Sequence, residues 1–182
     1  MFYNASAFNQ PIGNWNTAAV TNMVEMFSIA GLFNQPLGPW NTGAVTNMGA
    51  MFYGTSAFNQ PIGSWNTAAV TNMSGMFGEA TSFNQPIGSW NTAAVTDMSY
   101  MFYKASAFNQ PIGNWALNAT VDLTNMLNDC GMDCMNYSTT LIGWANNPAT
   151  PSGRSLGANG RQYGTNAVAA RTDLDVNKTW AI

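Results

Sequence analysis

Histidine is absent from the 182-residue chain, and charged side chains are scarce. Charged residues make up 7% of the chain, against about 25% in typical soluble proteins. Without histidine, neither a Ser-His nor a Cys-His nucleophile pair can form. The sequence also has no glycine-rich phosphate loop and no paired-carboxylate motif. We therefore expect a protein that is not an enzyme and that uses no cofactor.

Positive charge is the scarcer sign. Only five residues are Lys or Arg, and the formal net charge is -3. Phosphate recognition needs a basic surface, so we expect no nucleic-acid partner and no attraction to anionic membranes. No run of about 18 apolar residues is present, so we expect no membrane insertion by this segment. The basic residues are Lys104, Arg154, Arg161, Arg171 and Lys178.

The beginning of the chain lacks the basic start and the apolar stretch of a signal peptide. Instead, Met1-Phe2-Tyr3-Asn4 has the sequence of the middle of a repeat. This pattern predicts a fragment or mature segment of a longer protein, with the targeting signal and an N-terminal cap missing from it.

Only two cysteines occur, Cys130 and Cys134. A disulfide between them is the leading interpretation for an exported protein, with Gly131 available to form the local turn that such close spacing requires. A zinc site is disfavoured because no second pair of ligands is present. Asp122, Asp129 and Asp133 lie nearby, but without a calcium-loop pattern they are better explained as solvated or capping residues. We expect no metal site.

What the sequence does contain is internal repetition. Five copies of a 25-residue unit follow one another without insertion or deletion, approximately M-F-x-x-A-x-x-F-N-Q-P-I-G-x-W-N-T-A-A-V-T-N-M-x-x. We assign residues 1–125 to the repeats and residues 126–182 to a C-terminal capping segment. The copies begin at Met1, Met26, Met51, Met76 and Met101.

Each unit reads as two elements. Val20, Met23, Phe27 and Ala30 recur every three or four residues, which predicts a helix with Thr17 or Asn16 as its N-cap. The segment 8–15 is short and contains Pro and Gly, which favours a strand with a bend. The expected fold is an α/β repeat solenoid: a right-handed, leucine-rich-repeat-like coil with short parallel strands and short helices, closed by a small C-terminal α/β cap.

A single unit cannot bury its apolar face, so neighbouring units must stack. Stacking aligns identical side chains into columns, which we assign to the core. The columns are Phe8, Phe33, Phe58, Phe83 and Phe108; Trp15, Trp40, Trp65, Trp90 and Trp115; and Met23, Met48, Met73, Met98 with Leu123. In the capping segment we expect helices around residues 137–145, with Ser138 as a candidate cap, and 166–174, then a final strand at 178–182.

Two segments carry a resemblance to a known family. Val45–Phe52 (VTNMGAMF) and Phe58–Trp65 (FNQPIGSW) are similar to the motif of the BspA-like leucine-rich-repeat surface proteins. The resemblance covers residues 1 to about 127, and the tail with Trp144 and Trp180 looks like the end segment of such arrays. It implies a bacterial protein that is secreted or lies at the cell surface, with an adhesive or protein-binding role.

Contact residues for a ligand should lie where the copies differ, because the shared positions maintain the scaffold. We therefore expect a protein or glycan ligand to bind at the varying columns, at Tyr3, Tyr53, Tyr100, Tyr103 and Lys104, since exposed tyrosines are frequent contact residues.

Two alternatives stay open at this point. The repeats could form a structural spacer that associates end to end with other copies and has no external ligand. A second, minor alternative is ice binding through a regular threonine column. That column is Thr17, Thr42, Thr67 and Thr92.

Overall fold

The computed structural model describes residues 1–182. Its helices lie entirely in the C-terminal part of the chain. Helix α1 spans Cys134–Asn146, and helix α2 spans Val168–Thr172 between a 3-10 turn at Thr165–Ala167 and a π-helical turn at Asp173–Asn177. The repeats contain turns and isolated bridges but no helix and no extended strand. The predicted α/β repeat solenoid with parallel strands and helices is therefore wrong.

Backbone hydrogen bonds between successive repeats take the place of a sheet. The amides of Met48, Ala50, Phe52 and Gly54 donate to carbonyls in the next repeat, 24 residues further along the chain. Only one residue per repeat forms a parallel bridge, because turns on either side bend the chain away from an extended path. The bridges are Asn22 to Asn47, Asn47 to Asn72, Asn72 to Asp97 and Asp97 to Asp122.

The helix predicted around residues 17–30 is also absent, because turns take its place. The amides of Met26 and Ala30 bond to carbonyls three residues earlier, while the amide of Phe27 donates to the next repeat. Glu25 and Ile29 adopt positive φ angles of 52° and 60°, which a right-handed helix cannot contain. Consecutive tight turns therefore bury residues at the spacing that resembles an amphipathic helix.

In the segment predicted as a strand, side chains form the hydrogen bonds between neighbouring repeats. Asn9 accepts from the Asn34 amide at 3.0 Å and from the Gln35 side chain at 3.0 Å through its Oδ1. The indole of Trp40 donates to the Ile12 carbonyl at 3.1 Å. Proline follows the Asn-Gln pair and has no amide to donate. The Phe-Asn-Gln-Pro-Ile segment is therefore joined to its neighbours without a strand ladder.

The core consists of the predicted aromatic and methionine columns. The Phe52 ring stacks on Phe58 at 4.0 Å within its repeat and on Phe77 at 5.7 Å in the next repeat. Four of the five predicted Trp residues are buried, whereas Trp15 at the first repeat is 42% exposed. The core assignment of the columns thus holds inside the stack and weakens at its N-terminal end. The buried Trp residues of the column are Trp40, Trp65, Trp90 and Trp115.

The threonines at the predicted helix start are buried and serve the stacking. Thr42 donates its hydroxyl to the Asn66 carbonyl of the next repeat at 2.9 Å, and the other members of its column do the same. The preceding asparagine makes a local turn instead, with Asn66 Oδ1 accepting from the Ala68 amide at 3.1 Å. Neither residue caps a helix.

The C-terminal segment covers the last repeat and supplies the hydrogen-bond acceptors that a further repeat would supply. The amides of Leu127 and Asp129, which correspond to Phe102 and Lys104 one repeat earlier, donate to the carbonyls of Gly157 and Asn159. Helix α1 lies against the other side of the last repeat. Its Thr140 hydroxyl accepts from the Ile112 amide at 3.1 Å.

Three predictions for this segment differ from the structure. Helix α1 contains the predicted residues 137–145, but Asp133 caps it by accepting from the Asn136 amide, and Ser138 is buried inside it. The second helix is broken into the short turns around α2. The predicted final strand is a single bridge between Ser155 and Ala181. None of the helices is long and apolar enough to cross a membrane.

Replacing the same Phe in an inner repeat and in the first repeat should lower the free energy of unfolding by different amounts. Phe83 is fully buried between repeats, and Phe8 occupies the same position in the half-covered first repeat. We expect Phe83→Ala to lower the free energy of unfolding by about 3–5 kcal/mol and Phe8→Ala to lower it by clearly less. Urea denaturation of both variants measures this. Equal losses would contradict a core that ends openly at the first repeat.

Candidate binding surface

Two backbone positions in every repeat adopt the left-handed conformation. Their φ angles lie between 50° and 63°, a region that glycine enters freely and asparagine or aspartate enters at low cost. One column is Glu25, Ala50, Gly75, Tyr100 and Asn125; the other is Asn4, Ile29, Gly54, Glu79, Lys104 and Asp129.

The column that immediately precedes the second of these carries the predicted tyrosines. It consists of Tyr3, Ser28, Tyr53, Gly78 and Tyr103. We name the three columns together the left-handed strip. All five predicted contact residues lie on it, since Tyr100 and Lys104 belong to the two left-handed columns.

Tyr100, Tyr103 and Lys104 form one cluster at the C-terminal end of the strip. The two tyrosine rings meet edge to face with their centroids 5.6 Å apart. The Lys104 ammonium lies 4.9 Å from the centroid of the Tyr103 ring, within the range of a cation–π contact. Tyr100 is 44% exposed, and Lys104 is also exposed. The cluster therefore presents an aromatic edge, a hydroxyl and a cation to solvent.

Tyr53 lies next to this cluster because a glycine makes room for its ring. A Cβ atom at Gly78 would stand 2.8 Å from Tyr53 Cδ2 and 3.3 Å from the Tyr100 carbonyl oxygen. The pKa of the Tyr53 phenol is raised by partial burial and by the nearby Glu79 carboxylate. Any larger side chain at Gly78 would push the Tyr53 ring away from the strip.

Tyr3 is separate from these residues. It is 57% exposed and lies in the first repeat, whereas Tyr100 and Tyr103 belong to the fourth and fifth repeats. The structure therefore brings four of the five predicted residues into one area and leaves Tyr3 at the opposite end of the strip.

The strip also concentrates the few charges of the repeats. Residues 1–125 contain five charged side chains, and three of them, Glu25, Glu79 and Lys104, lie on the strip. The other two, Asp97 and Asp122, form bridges between repeats. Away from the strip, these two aspartates are the only charged side chains of the repeats.

The cysteines are free thiols in the structure, in contrast to the predicted disulfide. Cys130 is buried, and burial raises the pKa of its thiol. Cys134 is the first residue of α1 and is exposed. The helix thus holds one thiol outside while the turn before it holds the other inside.

Two of the three aspartates considered for calcium, Asp122 and Asp133, have separate hydrogen-bond partners. Asp122 accepts from the Thr124 amide, and Asp133 accepts from the Asn136 amide and from the Asn109 side chain. The hydrogen bond from Asn109 holds the pKa of the Asp133 carboxyl below its usual value. No group of three or more His, Cys, Asp or Glu side chains is arranged to hold a metal ion.

The left-handed backbone is the feature that the sequence analysis missed. The signal was present in the varying columns, where Gly54 and Gly75 stand at positions that hold Asn4 and Asn125 in other copies. Glycine and asparagine alternating at one position of a repeat indicate a positive φ angle. With that signal, the predicted helix would have been divided into turns.

Comparison with family models gives one match. The model is described as "Mycoplasma protein of unknown function, DUF285", and it matches residues 1–65 and residues 33–140. The two matched ranges together cover most of the chain. Comparisons with curated proteins and with solved structures give no match.

Ile29 provides a test of the backbone conformation of the strip. It is branched at Cβ, 41% exposed and held at a φ angle of 60°, which costs an L-residue about 1–2 kcal/mol. We expect Ile29→Asn to raise the free energy of unfolding by about 1 kcal/mol, because asparagine tolerates this conformation. Urea denaturation measures the change. Ile29→Val is the control, since it keeps the branched side chain and should give no gain. A loss of stability in Ile29→Asn would contradict the left-handed backbone conformation at this position.

Proposed function

We propose that this chain, which belongs to the family described as Mycoplasma proteins of unknown function (DUF285), is a non-enzymatic interaction module that binds another protein. The binding surface is the left-handed strip, centred on Tyr100, Tyr103 and Lys104.

The observation that carries this proposal is that large side chains occupy left-handed backbone positions where glycine would be less strained. The same two columns accept Gly54 and Gly75, so the scaffold itself requires no side chain there. Nevertheless Tyr100 and Lys104 occupy left-handed positions at an energetic cost. A side chain retained at such a position is explained by what it contacts outside the scaffold, because glycine would serve the fold better.

The chemistry of the strip favours a protein partner over a glycan. A sugar platform would require exposed aromatic faces, but Trp40, Trp65 and Trp90 are only 3–4% exposed, and their indoles donate to backbone carbonyls. The strip offers tyrosine edges with one cation and nearby carboxylates. Tyrosine is enriched among the residues that dominate protein–protein binding energy, and a mixed charge pattern suits a partner with both signs.

The location belongs to the same proposal. The resemblance of Val45–Phe52 and Phe58–Trp65 to BspA-like surface proteins supports a secreted or cell-surface protein with an adhesive role. The match to a repeat family supports it loosely. A surface that is rich in Asn and Thr, with few charges, is compatible with this setting.

Ice binding through the predicted threonine column receives no support from its position. Thr17, Thr42, Thr67 and Thr92 are buried, with exposed fractions of 5% or less, and each hydroxyl donates to the next repeat. The column therefore offers no regular hydroxyl surface to a crystal. A spacer without external ligand remains the competing function, and the binding experiment separates it from the proposal.

We expect the purified chain to bind a protein on an array of extracellular and host proteins, and the variant carrying Tyr100→Ala with Tyr103→Ala to bind it at least tenfold more weakly. Surface plasmon resonance measures both affinities. The control is Tyr163→Ala, which removes a tyrosine of similar exposure, 42%, from the C-terminal segment. It should bind like the unaltered chain.

Three outcomes would overturn the proposal. If the chain binds only glycans on a parallel array, its ligand is a sugar and not a protein. Equal affinities of the double variant and the control would remove the site from the strip. The absence of any saturable ligand would favour the spacer.

A further inference from the structure

The net negative charge of the protein lies entirely in the repeats. Residues 1–125 contain four acidic side chains and one basic side chain, Lys104, whereas residues 126–182 contain four of each sign. The repeats therefore carry the whole formal charge of -3. A surface of one sign attracts partners of the opposite sign, so the charge of the repeats favours a basic contact surface on the protein that binds them.

The left-handed strip has an excess of acidic side chains. Glu25, Glu79 and Asp129 occupy its two left-handed columns, and Lys104 is the one base among them. Three acids against one base give the strip a net charge of -2. The single ion pair of the protein lies in the C-terminal segment, between Arg171 and the residue four positions later. The carboxylates of the strip are therefore free to pair with a cation of a partner.

Glu79 lies in the aromatic part of the strip. Its amide donates to the Tyr103 carbonyl at 2.7 Å, which puts the two backbones about 5 Å apart, as in neighbouring strands of a sheet. On the other side, the Tyr53 ring fills the space that a side chain at Gly78 would need. Partial burial raises the pKa of the Tyr53 phenol, and the Glu79 carboxylate and the Tyr103 phenol raise it further. Tyrosines of the preceding and the following repeat therefore border this carboxylate.

One cation of the protein already contacts a tyrosine ring in this area. The Lys104 ammonium lies 4.9 Å from the centroid of the Tyr103 ring, a cation–π distance. The pKa of Lys104 is raised by the Tyr103 phenol and, to a smaller extent, by Glu79 and Asp129, which lie one repeat before it and one repeat after it. Lys104 can balance only one of these two carboxylates. A negative charge beside aromatic rings is left for a partner.

Arginine is the side chain whose chemistry fits this arrangement. Its planar guanidinium pairs with a carboxylate through two parallel hydrogen bonds and also stacks on aromatic rings. The ammonium of lysine is a compact point charge and lacks the planar, two-point geometry. Arginine, with tyrosine and tryptophan, is also enriched among the residues that dominate protein–protein binding energy. A carboxylate bordered by tyrosines therefore selects arginine over lysine and over a neutral side chain.

We propose that the protein partner of the left-handed strip presents an arginine side chain to Glu79 and to the tyrosine rings beside it. This inference rests on the proposed function, because it names the chemistry of the ligand that the same surface binds. The contact surface of the partner is basic around that arginine, which matches the net negative charge of the strip.

Synthetic peptides test this contact directly. The probe is a peptide of four Arg-Gly-Ser units with blocked ends. One control peptide carries lysine in place of every arginine, and the other carries citrulline, which keeps the shape of arginine without its charge. Fluorescence anisotropy of the labelled peptides at physiological ionic strength measures their dissociation constants. We expect saturable binding of the arginine peptide, with affinities at least threefold lower for the lysine peptide and at least tenfold lower for the citrulline peptide.

Two variants of the chain locate the contact. Glu79→Gln removes one negative charge from the strip. The control is Asp122→Asn, which removes one negative charge away from the strip, in a column where three other copies have asparagine. We expect Glu79→Gln to raise the dissociation constant of the arginine peptide at least fivefold, and Asp122→Asn to leave it within a factor of two.

Three results would overturn the proposal: equal affinities for the arginine and citrulline peptides, equal affinities for the arginine and lysine peptides, or equal affinities of the two chain variants. The variant carrying Tyr100→Ala with Tyr103→Ala separates this proposal from the function on which it rests. If that variant loses binding to a protein of the array while Glu79→Gln still binds the same protein fully, the strip is the binding surface and the arginine contact is wrong.

Discussion

The hydrogen bond from a backbone amide to a carbonyl 24 residues later is the interaction on which the whole repeat region depends. In each of the first four repeats the same four amides donate forward, as Phe52, Gly54, Met73 and Gly75 do to the following repeat. Because a buried backbone group without a partner is costly, an inserted or deleted residue would break four such bonds at once. The constant length of the repeat follows from this constraint, and the same register brings each Phe, Trp and Met onto its equivalent.

The sequence was sufficient to predict the 25-residue register of the repeats and the composition of the core. Phe58, Trp65 and Met73 are buried as their columns required, and the first cap helix was located within a few residues. These features depend on hydrophobicity and periodicity, which can be determined directly from the amino-acid sequence. They do not depend on the path of the backbone between the buried residues.

The backbone path was mispredicted because two different structures bury the same residues. Met23, Phe27 and Ala30 are spaced as on a helix, but Glu25 and Ile29 between them are left-handed, so the segment is a series of turns. In the other half of the repeat, the Asn34 side chain accepts the bonds that strand carbonyls would accept. Side-chain ladders of this kind depend on stacked copies and leave no local signal of a strand or of its absence.

The same left-handed positions connect the fold to the proposed interaction. They turn the chain sharply enough to close a repeat, and they project side chains such as Tyr100 and Lys104 away from the core. Variation there leaves the hydrogen bonds between repeats intact, since the amides of Ile29, Gly54 and Glu79 all donate to the following repeat regardless of side chain. The scaffold can thus be constant while the strip differs from copy to copy.

The most direct test of this account is an NMR measurement of scalar coupling across individual hydrogen bonds. The stacked repeats predict a coupling between the amide nitrogen of Met48 and the carbonyl carbon of Asn72, whose oxygen lies 2.9 Å from that nitrogen. A coupling from Met48 to the carbonyl of Ala44, four residues earlier, would show a helix in its place and would contradict the account.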